Sequence, residues 1–333
     1  MICEPFITID LRPERFLGYA AGLRPFRSPS PRLELEAVGE KLVAHNYGHG
    51  GSGITMCWGA AREAVELLRP RLTEAQSVAV LGAGVMGLCA ATLLVEAGYC
   101  VRVYTRELPS ATTSRVAGGL WAPTHVGGGA TAQEIEQHDR ILRHTWNRFK
   151  ALDPALYGVV EAPMYETDDR AYALDPMPEG LTEPPRRLEQ MPFPGSLGAG
   201  QVSTTLLIET PKFLSHLEQR LRDGGTQFVE RVFTKPSELH ELSEEYLVNC
   251  LGLGAREACA DQQLQPIRGQ LALFQPLSQS FMLDHSQGYV ISRPDLLILG
   301  GTFEEGEEDS QPDPATVTEI VNKHRKLFNI SET

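Results

Sequence analysis

Three glycines, Gly82, Gly84 and Gly87, stand in G-x-G-x-x-G spacing directly after the apolar run Val78–Leu81 and ahead of a stretch of good helix formers, Met86–Ala97. In that pattern the first glycine allows a tight turn, the second lets backbone approach a phosphate, and the third lets helix and strand pack closely. The free N–H groups of the helix N-terminus then face the anion. The short run before the glycines reads as a strand buried on both faces, Gly98 as the helix stop and Val101–Tyr104 as a second strand. The chemistry predicted is pyrophosphate binding by the opening βαβ unit of a doubly wound, Rossmann-like sheet.

Two neighbouring stretches belong with that site. The loop Leu108–Thr124 is too rich in Gly, Ser, Thr and Pro for a regular element and too apolar at its end for a linker. It is predicted to offer Thr112, Thr113 and the backbone of Gly118 and Gly119 to phosphates, and to lay Leu120 and Trp121 against a flat ring. Gly127–Gly129 would close it. The acid usual about twenty residues past the first glycine is replaced by Thr105–Arg106–Glu107. Glu107 becomes the candidate for ribose or adenine and Arg106 for phosphate, with a solvated ion pair as the plain alternative.

The elements that must hold these residues follow from periodicity. Ala132–Leu152 has a helical apolar stripe that includes Trp146, read as core, and Pro211–Gly224 and Pro314–Leu327 are further helices. Gln227–Arg231 and Tyr246–Cys250 read as strands, and Leu271–Phe274, Gly288–Ser292 and Leu296–Leu299 as three antiparallel ones. The proline-rich stretch 153–200 is expected to form short strands and loops, with a hairpin arm over Tyr165–Asp175. The fold class is α/β: a doubly wound dinucleotide domain plus a mainly antiparallel α+β domain. With 333 residues there is room for two domains at roughly 150 residues each.

Composition removes several classes. Thirty basic against forty-three acidic residues leave a net charge of −13, which argues against nucleic acid and anionic membrane as partners. No apolar run approaches the roughly 18 residues of a membrane span, and the opening MICEPFITIDLRPERF does not read as a secretory leader, so the expected location is the cytoplasm. The six cysteines show no C-x-x-C pair. His45 and His49 stand at i, i+4, but glycines make a helix there improbable, and no metal site is predicted.

Several segments resemble one family, the FAD-dependent D-amino acid oxidases. VAVLGAGVMGL is similar to the family's flavin fingerprint and ATTSRVAGGLWAP to the loop after it; VNCLGLGARE, IRGQLALF, GYVISRPD and ILGGTFEEGE follow in the family's order. GLRPFRSPSPRLE and HNYGHGGSGITMCWGAA also match, yet in the family these lie at the carboxy-terminal end, whereas here they precede the nucleotide fold. A circular permutation is the simplest account, with the moved part joined through the helix Trp58–Leu68 and the linker Arg69–Gln76. On this reading residues 25–125 and 195–262 form the FAD domain, and 1–24, 126–194 and 263–333 the substrate domain.

The resemblance implies FAD as cofactor, a small amino acid of D configuration as substrate, and O2 as the oxidant that yields hydrogen peroxide, with a homodimer left open as an assembly. Taken alone, Arg24 is as readily a surface arginine as a ligand; the resemblance makes it the fork for the substrate α-carboxylate. Tyr289 matches the tyrosine that supports the same carboxylate, and Gly51 the position whose carbonyl meets the substrate amine. The stretch containing Gly50, Gly53, Ile54 and Thr55 would bring N–H groups and a hydroxyl to the flavin pyrimidine edge. The family's lid tyrosine is missing from FMLDHSQG, where Met282 and His285 stand near the site, so a flavin dehydrogenase or an oxidase of a specialised amine intermediate is the alternative.

Overall fold

The computed structural model describes residues 5–123, 131–170 and 177–331. Two sheets organise the chain. The six-stranded sheet contains β2 (Arg32–Val38), β3 (Lys41–Tyr47), β4 (Ser77–Leu81), β5 (Cys100–Thr105), β10 (Gln227–Glu230) and β11 (Tyr246–Asn249), in spatial order β10-β5-β4-β11-β3-β2. All its neighbours are parallel except β2 against β3. The larger, ten-stranded sheet is mainly antiparallel. It runs through β1 (Phe16–Arg27), β12 (Leu264–Phe274), β15 (Leu297–Gly300), β14 (Gly288–Ser292), β13 (Phe281–His285), β7 (Val159–Thr167), β9 (Gly200–Ile208) and β6 (Leu120–Trp121). Two short strands, β8 (Arg186–Leu188) and β16 (Glu304–Glu305), pair with β9 and β12.

The helices are α1 (Gly53–Leu68), α2 (Val85–Glu96), α3 (Thr113–Val116), α4 (Ala132–Ala151), α5 (Pro154–Tyr157), α6 (Thr210–Asp223), α7 (Ala255–Ala258) and α8 (Pro314–Leu327). β4 is buried from Val78 onward, and α2 is apolar nearly all round because α1 and α6 flank it. α1 and α4 meet closely at Gly59, whose N–H donates to Thr145 Oγ1 at 2.8 Å and where any side chain would run into the Ile141 backbone. A second core lies between the ten-stranded sheet and α8, with Ile7, Ile9 and Leu11 filling its margin.

Several expectations need redrawing. α1 begins at Gly53, five residues before the predicted Trp58, because Gly53 already has helical backbone. β7 is a full nine-residue strand despite Pro163. The missing N–H is tolerated because β13 pairs with β7 only from Met164 onward. Tyr165 lies in that strand, and the far half of the hairpin drawn over 165–175, like Gly127–Gly129, lies outside the described residues. β6 and β9 belong to the ten-stranded sheet, so the division between sheets falls after Ile208 rather than at 195. The first strands of the chain are not a separate module: β1 edges one sheet while β2 and β3 complete the other. Among the described residues no helix is long and apolar enough to cross a membrane.

Candidate active site

The glycine turn is built as its spacing demands. Gly82 has φ +100° and lies against the Cys250 carbonyl, with a Cβ there falling 3.0 Å from the carbonyl carbon. A Cβ on Gly87 would collide with the Gly82 carbonyl oxygen. Gly84 caps α2, whose Val85 N–H donates to Ser114 Oγ at 3.0 Å, which draws the loop before β6 onto the helix start. A Cβ on Gly53 would stand 3.8 Å from Val85 Cγ1, so the N-termini of α1 and α2 converge where β3 and β4 end. First-turn N–H groups have no intrahelical acceptor, and two such ends side by side favour an anionic ligand. Nearby in sequence, buried His49 Nδ1 lacks a hydrogen-bond partner among the described residues. Burial lowers the His49 pKa to about 4, so its ring is neutral at pH 7. A cradle that admits no side chain, with two helix N-termini converging on it, fits a flavin dinucleotide.

Around that cradle some expected contacts are re-employed. The Thr55 hydroxyl donates to Ala122 O at 3.0 Å and accepts from its N–H at 3.2 Å, so it pins α1 to the chain after β6 instead of pointing outward. Ile54 is buried behind it. Trp121, expected against a flat ring, is 0% exposed and packs edge-on against Trp146 in the core, whereas Leu120 joins the cluster that contains Tyr289. Thr112 gives its hydroxyl to Pro109 O at 3.0 Å and starts α3, whose Thr113 and Val116 press on Gly22 of β1. Gly118 leaves room for Ile291, and Gly119, at φ +75°, lies against the Ile208 carbonyl. Arg106 and Glu107 form an exposed ion pair at 3.2 Å past the end of β5.

Arg24, Tyr289 and Gly51 come together from distant parts of the chain. In β1, Ala20, Gly22 and Arg24 share one face by period-two alternation, and Ala20 packs into the cluster that also holds Leu271, Tyr289 and Leu120. The Arg24 guanidinium lies over Gly269 of β12, and a Cβ on Gly51 would stand 3.6 Å from its Cδ. Its Nη1 donates to Thr302 O at 3.4 Å and its guanidinium carbon is 5.9 Å from the Phe303 ring centre. Among the described residues no carboxylate pairs with it, which leaves the charge for a ligand. The Tyr289 ring covers Gly300, occupying the volume a side chain there would need. Both side chains thus lie over glycines on one face of the sheet.

His285 is not part of this face. It pairs with Gly288 at the end of the β13–β14 hairpin, is 0% exposed, and packs edge-on with ring centres 4.9 Å from His324 of α8 and 6.2 Å from Phe328. Burial lowers its pKa to about 3, so it is neutral and packed rather than facing substrate or solvent. Met282, by contrast, lies in the Tyr289 cluster.

Sequence reasoning passed over Arg293, which follows β14 and is 1% exposed. Its Nη1 donates to the carbonyls of Ala117 and Gly118, both at 3.2 Å, and of Ile208 at 3.1 Å, while Nε and Nη2 fork onto Asp295 at 2.9 and 2.8 Å. It ties the cofactor-side loop to the strand of Tyr289. The only signal was an Arg-Pro-Asp turn with the acid two residues on. Among the described residues no group of His, Cys, Asp and Glu could hold a metal.

Comparison with known proteins agrees with this geometry. The sequence model of the DAO family, FAD dependent oxidoreductase, matches residues 77–332. The chain is 34% identical over 257 residues to a D-amino-acid oxidase of Rubrobacter xylanophilus, covering 73% of this chain and 74% of that protein. It is 33% identical to the D-amino-acid oxidase of Streptomyces coelicolor, covering 74% and 76%. Among solved structures, a glycine oxidase from Geobacillus kaustophilus superposes with a TM-score of 0.58 at 17% identity, covering 76% of this chain and 78% of that one, a likeness of fold. With the nucleotide cradle built and the family match spanning the chain from β4 to its end, this protein belongs to the DAO family of FAD-dependent oxidoreductases and is an amino acid oxidoreductase.

Proposed function

We propose that this chain oxidises the α-amine of a small amino acid of D configuration to the imine, with O2 as the terminal oxidant and hydrogen peroxide as product. The observation that carries the reading is the pair of side chains over glycines: Arg24 above Gly269 and Tyr289 above Gly300, on one face of one sheet. Arg24 would hold the substrate carboxylate in a planar fork, with the Tyr289 hydroxyl as a second donor, and the Gly51 carbonyl would receive a hydrogen bond from the amine. Such a clamp orients Cα and leaves no acid–base step to the side chains when the amine arrives neutral. Bound FAD supplies the hydride acceptor. The N–H groups that open α1 and α2, together with Gly82, Gly84, Gly87 and the loop at Thr112–Leu120, would hold it. Two relatives named D-amino-acid oxidase, at 34% and 33% identity, support the substrate class.

The test is a panel of D- and L-amino acids offered to the purified yellow protein, read by oxygen uptake and peroxide release. Peroxide from D-amino acids is the expected result. Reduction of an artificial acceptor without peroxide would make it a dehydrogenase instead, and silence toward every amino acid would remove the reading.

The order of the chain supports a circular permutation. The family match begins at Ser77, the first residue of β4, yet residues before it supply β1, β2 and β3 to the same two sheets and α1 to the packing against α2 and α4. Arg325 Nη2 donates to Leu11 O at 2.8 Å, so the two ends of the described chain run side by side. Moving residues 5–76 behind residue 331 through a short linker is expected to give a folded, flavin-binding protein; an insoluble product would count against the permutation.

A further inference from the structure

One row of the ten-stranded sheet carries polar groups that the proposed reaction leaves unused. Directly paired residues on neighbouring strands share a face, and the register runs Gly300, Tyr289, Asp284, Glu166, Gln201 across β15, β14, β13, β7 and β9. Asp284 therefore stands beside Tyr289, on the side away from Gly300, and on the same face as Arg24. It is 1% exposed, and among the described residues its carboxylate has no side-chain hydrogen-bond donor and no ion pair, only the main-chain N–H of His285 beside it. Glu166, next in the row, is also buried, but it accepts from Gln201 Nε2 at 2.8 Å and pairs with Arg170 at 3.2 Å. Two buried carboxylates thus share one guanidinium, and the second negative charge has no counterion.

A buried acid in that position either keeps its proton or waits for a cation. Burial and the neighbouring Glu166 push the Asp284 pKa up to about 7, against a smaller opposing pull from Arg170 and the main-chain N–H of His285. The free molecule can therefore hold the proton near neutrality and release it when a positive group arrives. The far end of the face offers the opposite charge at Arg24. A ligand with a carboxylate at one end and a cation at the other would meet a complementary group at each.

Building on the amino-acid-oxidising reading above, we propose that Asp284, backed by Glu166, is a side-chain subsite for a cation, and that the preferred substrates are amino acids whose side chain ends in a guanidinium or ammonium group. The groups that face Asp284 are Glu166 from β7, Arg170 just past β7, and Tyr289 from β14. An entering cation displaces the Asp284 proton to solvent and forms a charge-assisted hydrogen bond in its place.

The test compares isosteres. On the flavin-loaded protein, kcat/KM for D-arginine is expected to exceed that for uncharged D-citrulline by about tenfold or more, and D-lysine to exceed D-norleucine likewise. In Asp284→Asn the D-arginine to D-citrulline ratio is expected to fall by about the same factor, and anaerobic titration of the flavin absorbance with D-arginine to show weakened binding. Equal rates for charged and uncharged isosteres in the unmodified protein, or a ratio untouched by Asp284→Asn, would overturn the subsite. The first comparison decides the matter if the variant does not fold. Oxidation of neutral amino acids alone would defeat this inference and leave the amino acid oxidase reading standing, whereas no flavin reduction by any amino acid would defeat that reading itself.

Discussion

The guanidinium of Arg24 occupies the space that Gly269 leaves by having no side chain: a Cβ on Gly269 would fall 2.6 Å from both the Cζ and Nη1 atoms of Arg24. One residue is therefore positioned by the absence of another, across the β1–β12 pair. Because the displaced atoms are the free end of a flexible side chain, Gly269→Ala should fold and bind flavin normally while pushing the fork out of place. Its KM is expected to rise about tenfold, and that of Arg24→Ala by roughly 100-fold or more, with the flavin absorbance retained in both. Steady-state kinetics on the preferred amino acid check this, and an unchanged KM in Arg24→Ala would remove the arginine from the clamp.

Gly87→Ala should behave in the opposite way. The new methyl would meet the Gly82 carbonyl oxygen, which is backbone and has no alternative rotamer. The helix must shift away from β4, and the N–H groups that open α2, proposed to hold the cofactor, shift with it. The flavin-to-protein ratio after purification is expected to drop several-fold, whereas an unchanged ratio would show that the turn tolerates a wider approach.

Replacing Arg293 by glutamine removes a buried cation and leaves the carbonyls of Ala117, Gly118 and Ile208, together with Asp295, short of donors. Breaking a buried pair from one side costs about 3–5 kcal/mol. Urea denaturation should register that loss, and because Ala117 and Gly118 lie in the cofactor-side loop, flavin retention should weaken as well. A variant as stable as the parent would mean the loop is held by other contacts.

Stability should fall on acidification below about pH 6.5, the ordinary histidine value. Burial lowers His45, His49 and His324 to about 4 and His285 to about 3, so the folded chain keeps these rings neutral while the unfolded chain protonates them. Their contribution is present above pH 6.5 and lost as pH falls toward 4, with a slope of up to about 1.4 kcal/mol per pH unit for each ring. Asp284 acts with the reverse sign. Its raised value near 7 means the folded state holds a proton that the unfolded chain has released above about pH 4, so its contribution is lost as pH rises through 7. Urea midpoints measured between pH 4 and 8 should show both limbs, and Asp284→Asn should remove the alkaline one and steepen the acidic one.

The nucleotide-binding half was legible because its signals are local. A β-branched run, three glycines and a helix-forming stretch within Ser77–Thr105 dictate a turn geometry that needs no distant partner, and the structure builds it with Gly82 at positive φ. The resemblance to the family, rather than residue type alone, pointed to Arg24 in GLRP and Tyr289 in GYVISRPD as the groups that would hold a carboxylate. Which face each residue occupies was not legible. Side chains in a strand alternate, so a shift of one position exchanges inside for outside, and only the pairing of β13 with β14 and β7 decides it. That pairing turns His285 toward α8 and puts Asp284, not His285, on the face that carries Tyr289. Trp121 and Arg293 teach the same lesson: composition marked the loop and the turn, but burial among partners far away in sequence settled what their side chains touch.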